Sequence, residues 1–222
     1  MRDLILGVLT NPAFLIGWGI VLVLSLAILL RDLGTRNSHL MSLMKVVWVF
    51  TVLYSGPLGL WVYWVSGRKE IADDAAWRRG FRSTAHCYSG CGAGEIVGVF
   101  IAAGLLSLGN WWVAIITFLL AYVAGFALTA GPLIQEGVSV RQALRDAFVS
   151  ESASITVMEL TAISVDLWLA QNATMAEGRF WASLVFSLSV GLLTAYPVNL
   201  LLIQFGLKEG MHSPKQMAHA QG

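Results

Sequence analysis

Four residues able to ligate a metal or move a proton stand close together: His86, Cys87, Cys91 and Glu95, in the stretch His-Cys-Tyr-Ser-Gly-Cys-Gly-Ala-Gly-Glu. On a helix, spacings of four set Cys87, Cys91 and Glu95 along one gently drifting stripe, with His86 at its edge. Thiolate and imidazole together suit Cu(I) or Zn(II) better than Mg(II) or Ca(II), because soft sulfur and borderline nitrogen match those ions. One helix cannot complete a tetrahedral site, so a second must contribute. The natural donor is the segment from Ser150 onward, which carries Glu151, Ser152, Met158 and Glu159, followed by Asp166. Met158 adds a thioether, the soft donor that copper accepts. The pair Cys87 and Cys91 has two other uses, as a redox couple or as small packing residues. A disulfide at this spacing needs the helix to open locally, for which Gly90, Gly92 and Gly94 give latitude.

Composition says what must position these groups. The chain is 57% hydrophobic and 12% charged, whereas soluble domains carry roughly 25% charge. Its apolar residues fall in blocks long enough to cross a hydrocarbon core of roughly 30 Å as helices. No period-two alternation marks a barrel. The fold class is therefore all-α, a single polytopic bundle of about six spans, several broken by proline or glycine. The spans fall near 14–30, 41–65, 84–106, 111–134, 150–170 and 180–204, with loops at 67–82 and 135–146 and a tail from 205 to 222. Six crossings put both termini on the face rich in Arg68, Lys69, Arg78, Arg79, Arg82, Arg141 and Arg145, which the positive-inside rule marks as cytoplasmic. The expected location is a plasma or inner membrane. Trp61, Trp64, Trp111, Trp112, Trp168 and Trp181 sit near span ends, as interfacial anchors do.

An ionised carboxylate at the bilayer centre costs about 2.5 to 3.5 kcal/mol even on a lenient scale, so Glu95 and Glu159 should face a partner or a water-filled cavity. With Glu151, Ser152, Asn199 and Asp166 they are candidates to line such a cavity and to couple protons. Pro57, Pro132 and Pro197 fall at a similar depth, where freed carbonyls are tolerated only inside protein or beside water. Gly90, Gly94 and Gly98 form a small-xxx-small stripe that lets another helix approach, and a homo-oligomer could use it. The net charge of +1 offers no face for nucleic acid. Histidines are too scattered for a bis-histidine haem, and no nucleotide-binding loop is present. His212 and His219 lie in the tail, and Asp73 with Asp74 in the 67–82 loop.

The pattern His86-Cys87-x-x-x-Cys91, then Met158-Glu159, then Pro197-Val198-Asn199 before Gly206-x-Lys208, resembles a prokaryotic membrane family catalogued as domain of unknown function 4396. The resemblance runs from about His86 to Met211 and implies a small multi-helix membrane protein with no assigned activity. The residues themselves point to a transporter or binding protein for copper or zinc, with His86, Cys87, Cys91, Glu95, Met158 and Glu159 as ligands, in contact with membrane lipid. The competing readings are a thiol redox protein and a packing subunit.

Overall fold

The computed structural model describes residues 1–69, 71, 74–135 and 137–211. Asp73, Lys215 and the tail histidines His212 and His219 lie outside them. The described residues are helical throughout, with no strand: α1 (Arg2–Leu9), α2 (Pro12–Gly34), α3 (Ser42–Ser55), α4 (Pro57–Ser66), α5 (Ala76–Val99), α6 (Asn110–Gln135), α7 (Val140–Ala170) and α8 (Gly178–Gln204). A π-helical turn, Phe100–Leu105, extends α5. Five of the helices, α2 and α5 to α8, are long and apolar enough to cross a membrane.

Helix boundaries follow local chemistry. Asn11 caps α2, its side-chain oxygen accepting from the Ala13 and Phe14 amides, with Pro12 in the first turn where no donor is missed. Ser139 caps α7 through the Gln142 amide, so that helix begins at Val140, well before its apolar part. The helix α5 likewise starts at Ala76, and Arg78, Arg79 and Arg82 are helical residues where a loop was expected. Pro132 and Pro197 lie inside α6 and α8, which run on through them.

The segment 41–65 is not one straight span but a helical hairpin. Gly56 adopts φ +56° and ψ −127°, a conformation a side chain would strain, and Pro57 restarts the helix in a new direction. Helices α3 and α4 then fold against each other. Trp48 and Tyr63 meet edge to face at 5.2 Å, and a Cβ on Gly59 would sit 2.5 Å from the Thr51 carbonyl oxygen. In one straight helix Trp48 and Tyr63 would be roughly 22 Å apart. The far end of α2 is tied to the α4 end of this hairpin. Tyr63 donates to Asp32 at 2.5 Å, Arg68 pairs with Asp32 at 3.3 Å, and Asn37 donates to the Gly67 carbonyl at 2.9 Å. Arg82 at the start of α5 closes the cluster, donating to the Ser66 and Met211 carbonyls and pairing with Asp74.

With this hairpin the two ends of the described chain lie at opposite ends of the bundle, where both termini were expected on one face. Helix α1 lies beside Gly178 and Trp181 at the start of α8, while Met211 lies beyond its end. With 41–65 returning on itself, Arg31, Arg36 and Lys45 move to the end that holds Arg68, Lys69, Arg78, Arg79, Arg82, Arg141, Arg145 and Lys208. Among the described residues only Arg2 and Arg179 remain at the other. One end of the molecule therefore holds most of the basic residues, some of them paired with Asp32, Asp74 and Glu151.

Helices α5 to α8 form an antiparallel four-helix bundle in which α5 and α6 come closest. Gly90, Gly94 and Gly98 all face α6. A Cβ on Gly94 would overlap the Leu120 carbonyl, and one on Gly98 would lie 2.8 Å from Thr117 Cα. This stripe is covered by the chain's own helix, so it is not free to join a second copy. Small residues at that spacing signal close approach but do not say whose backbone approaches.

Candidate functional site

The close α5–α6 contact also positions Cys87 and Cys91, which face the seam between α6 and α7: Ser154 of α7 reaches Cys87 Sγ, and a Cβ on Gly125 of α6 would lie 3.0 Å from Cys91 Sγ. Both thiols are free and buried, with their sulfurs 3.9 Å apart. They sit in the bundle core with Met158, Tyr54, Tyr88, Ile155 and Leu188. Given a metal–sulfur length of about 2.3 Å, sulfurs 3.9 Å apart subtend roughly 115° at a shared ion, near the trigonal angle. The site would take a third donor more readily than a linear pair would.

A chain of hydrogen bonds runs into this pair from the basic face. Lys208 donates to Asn199 Oδ1 at 2.9 Å, Asn199 Nδ2 donates to Ser154 Oγ at 2.8 Å, and Ser154 donates to Cys87 Sγ at 3.5 Å. Every proton in the chain points toward sulfur. Lys208 is also paired with Glu151 at 2.7 Å, and Thr129 donates to the other Glu151 oxygen at 3.3 Å. Connected donors of this kind polarise one another in a poorly hydrated interior. The local fold that makes the chain possible is the end of α8. Gly206 takes φ +70°, and the amides of Leu207 and Lys208 both return to the Leu202 carbonyl. That reversal carries the Lys208 ammonium back beside Asn199, nine residues earlier in sequence.

Beside the chain a cavity of about 940 Å³ opens at the basic face, lined by Ser83, His86, Thr129, Arg145, Glu151 and Lys208 among others. His86 belongs to this cavity and not to the thiol pair. Its ring meets the Leu128 backbone carbonyl, and its Nδ1 has no partner among the described residues. One position along a helix turns a side chain by roughly 100°, which carries His86 from the α7 side round to α6.

Further along the bundle Glu159 is fully buried, neither carboxyl oxygen having a hydrogen-bond partner among the described residues, within electrostatic range of both Cys87 and Glu95. Glu95 faces a second cavity of about 500 Å³ at the other end, which Asp166 also lines. Ser152 lies at the edge of the bundle, its carbonyl accepting from Tyr122 and its hydroxyl unpartnered. The structure thus brings Cys87 and Cys91 together, sets Met158 in the same buried core, links Cys87 to Ser154, Asn199, Lys208 and Glu151, and places His86, and Glu95 with Asp166, at two separate cavities. Among the described residues no three His, Cys, Asp or Glu side chains gather around one point.

Sequence reasoning missed Ser154, Thr129 and Lys208. The available signal was Gly206 just beyond Asn199, a reversal able to return a lysine to the helix it has left. A family model, described as a domain of unknown function, matches residues 76–208, the first residue of α5 to the lysine that heads the hydrogen-bond chain. The chain belongs to family DUF4396. The DUF4396 match covers more than half of the sequence and coincides with the α5–α8 bundle and its closing turn, while α1 to α4 lie outside it. No curated protein and no solved structure matches the chain.

Proposed function

We propose that this protein is a multi-pass membrane transport protein for a soft metal cation, Cu(I) before Zn(II), with Cys87 and Cys91 as its primary ligands and Met158 as the third. The observation that carries the reading is the hydrogen-bond chain from Lys208 to Cys87 Sγ, with Cys91 Sγ 3.9 Å beyond. A hydrogen bond donated to Cys87 Sγ favours its thiolate, and the thiolate is the form that ligates a metal. Copper is favoured over zinc because thiolate and thioether donors suit Cu(I) and the third donor here is soft, whereas structural Zn(II) takes four ligands of N, S or O type.

The proposed route starts at the 940 Å³ cavity. Its basic face is assigned to the cytoplasm of a plasma or inner membrane by the positive-inside rule, with the hairpin tip of α3 and α4 buried in the bilayer. An ion entering there reaches the thiols past Ser83 and Ser154, and Glu159 next to the pair takes up or returns the proton that ligand exchange requires. The direction that fits cytoplasmic capture is export. Residue His86 at the cavity is a docking ligand on the way in, and Glu95 lies on the way out.

Elemental analysis of protein purified under reducing conditions and loaded with Cu(I) tests the binding step, and copper flux in proteoliposomes tests transport. The expected result is about one thiol-dependent Cu(I) per chain, lost in the Cys87→Ser, Cys91→Ser variant, with flux lost alongside it. Equal copper in both proteins would overturn the assignment. Rapid conversion of the two thiols to a disulfide by mild oxidant, without metal binding, would instead support a redox couple.

A further inference from the structure

The second cavity carries chemistry of a different kind. It lies at the end of the bundle opposite the basic face, between the π-helical turn, the start of α6 and the end of α7. Its lining residues include two acids, Glu95 and Asp166, and no lysine, arginine, histidine or cysteine. Glu95 is 3% exposed, and its Oε2 has no hydrogen-bond partner among the described residues; Asp166 Oδ1 has none either. Buried carboxyl oxygens without partners are costly and normally avoided, so two acids that line one cavity, each with a buried oxygen the described residues leave unpaired, mark a place for a missing donor.

The backbone around the cavity points the same way. Among the described residues only Ser107 and Gln171 combine a side chain with positive φ, at 49° and 53°, and both line this cavity. Strain of that kind persists where the surroundings hold a site in shape. The π-helical turn supplies Ala103 and Gly104 to the wall, and π-helical turns occur frequently at functional sites.

The size and walls decide what the donor is. A volume of about 500 Å³ is far more than a bare ion needs and falls in the range of small-molecule sites. Leu108, Val113, Ile163, Leu167 and Phe180 give its wall an apolar part, beside the polar side chains of Asn110, Gln171 and Thr174. Two carboxyl groups with no third acid or imidazole beside them make a poor metal cage, but they match the three N–H donors of an ammonium. We infer that Glu95 and Asp166 form the base of a binding site for a small organic cation, an ammonium head on an apolar body, reached from the face opposite the basic one. The inference goes beyond the metal reading and does not depend on it.

The test is isothermal titration of the full chain in lipid nanodiscs with phenethylammonium, beside the neutral isostere 2-phenylethanol and beside Ca²⁺. The expected result is saturable phenethylammonium binding, weakened at least about ten-fold by Asp166→Asn and by Glu95→Gln, with the alcohol and Ca²⁺ showing no saturable heat. The Cys87→Ser, Cys91→Ser variant should bind phenethylammonium as the wild type does, so loss of the metal site leaves this result standing. Asp166 is only partly buried, which keeps its variant informative if Glu95→Gln fails to fold. No saturable binding, equal binding of the alcohol, binding of Ca²⁺ in place of the amine, or unchanged affinity in Asp166→Asn would each overturn the inference.

Discussion

Replacing Lys208 by methionine removes one partner of a buried ion pair and the head of the chain that ends on Cys87. The side chains of Lys208 and Glu151 are 8% and 4% exposed, with nitrogen and oxygen 2.7 Å apart, so solvent screens the pair little. Breaking such a pair from one side leaves a buried charge unmatched and costs about 3 to 5 kcal/mol. Asn199 Oδ1 also loses its shortest donor, keeping Ser83 at 3.5 Å, which adds roughly 1 kcal/mol. Removing both charges in Lys208→Met, Glu151→Gln discards the unmatched group along with its partner. The double variant should therefore be more stable than Lys208→Met by about 2 kcal/mol or more. The assay is a double-mutant cycle by chemical unfolding in detergent, read from tryptophan fluorescence and repeated with Cu(I). Additive effects of the two substitutions would refute the reasoning, because they would mean that each side chain is solvated by itself. The cycle has a functional arm as well. Copper affinity should fall about ten-fold in Lys208→Met and stay low in the double variant, since only the stability term is rescued.

Other substitutions follow from the packing. Gly94→Ala should destabilise the α5–α6 contact by about 1 to 3 kcal/mol through overlap with the Leu120 carbonyl, while Gly131→Ala, which meets nothing within 4 Å, should be neutral or stabilising by up to about 1 kcal/mol; thermal melting of both in detergent checks the contrast. Gly56→Ala should cost about 1 to 3 kcal/mol, because Gly56 has φ +56° and its Cβ would press on Trp18 at 3.1 Å; unchanged melting would mean that the hairpin turn is relaxed. Single cysteines at Arg36, Lys69 and Asp3, made in the Cys87→Ser, Cys91→Ser background, test the hairpin through impermeant labelling. Arg36→Cys and Lys69→Cys should react from one side of the membrane and Asp3→Cys from the other, and reaction of Lys69→Cys together with Asp3→Cys, with Arg36→Cys on the opposite side, would mean that 41–65 crosses after all.

The residues that were easiest to read from sequence were those whose chemistry and spacing act within one helix. Cys87 and Cys91 share a face because they are four apart, and the second helix needed beside them is α7, which brings Ser154 to 3.5 Å from Cys87 Sγ. The glycine stripe correctly signalled a close neighbour but left its identity open, and the neighbour is α6 of the same chain. Hydropathy failed at 41–65 because a hairpin and a crossing bury the same apolar residues. The distinguishing signals were local: Gly56-Pro57 in the middle, and Asp32 and Asn37 needing buried partners that only Tyr63, Gly67 and Arg68 supply. That one error also split the basic residues between two faces. His86 and Glu95 looked like ligands of the cysteine site because stripe arguments ignore what else packs nearby. One residue of rotation takes His86 to the other cavity, and one further turn of helix takes Glu95 toward Asp166. Lys208 was invisible as a site residue because its position depends on a reversal after the helix, and no periodicity carries across such a turn.

The central claim is that the two thiols hold a soft cation at the end of a hydrogen-bond chain that starts on Lys208. The most direct measurement is X-ray absorption at the copper edge on Cu(I)-loaded protein in nanodiscs, wild type beside Cys87→Ser, Cys91→Ser. The account predicts Cu(I) with two or three sulfur neighbours at about 2.2 to 2.3 Å in the wild type and no bound copper in the variant. Copper surrounded by nitrogen or oxygen alone, or retained when both cysteines are replaced, would contradict it.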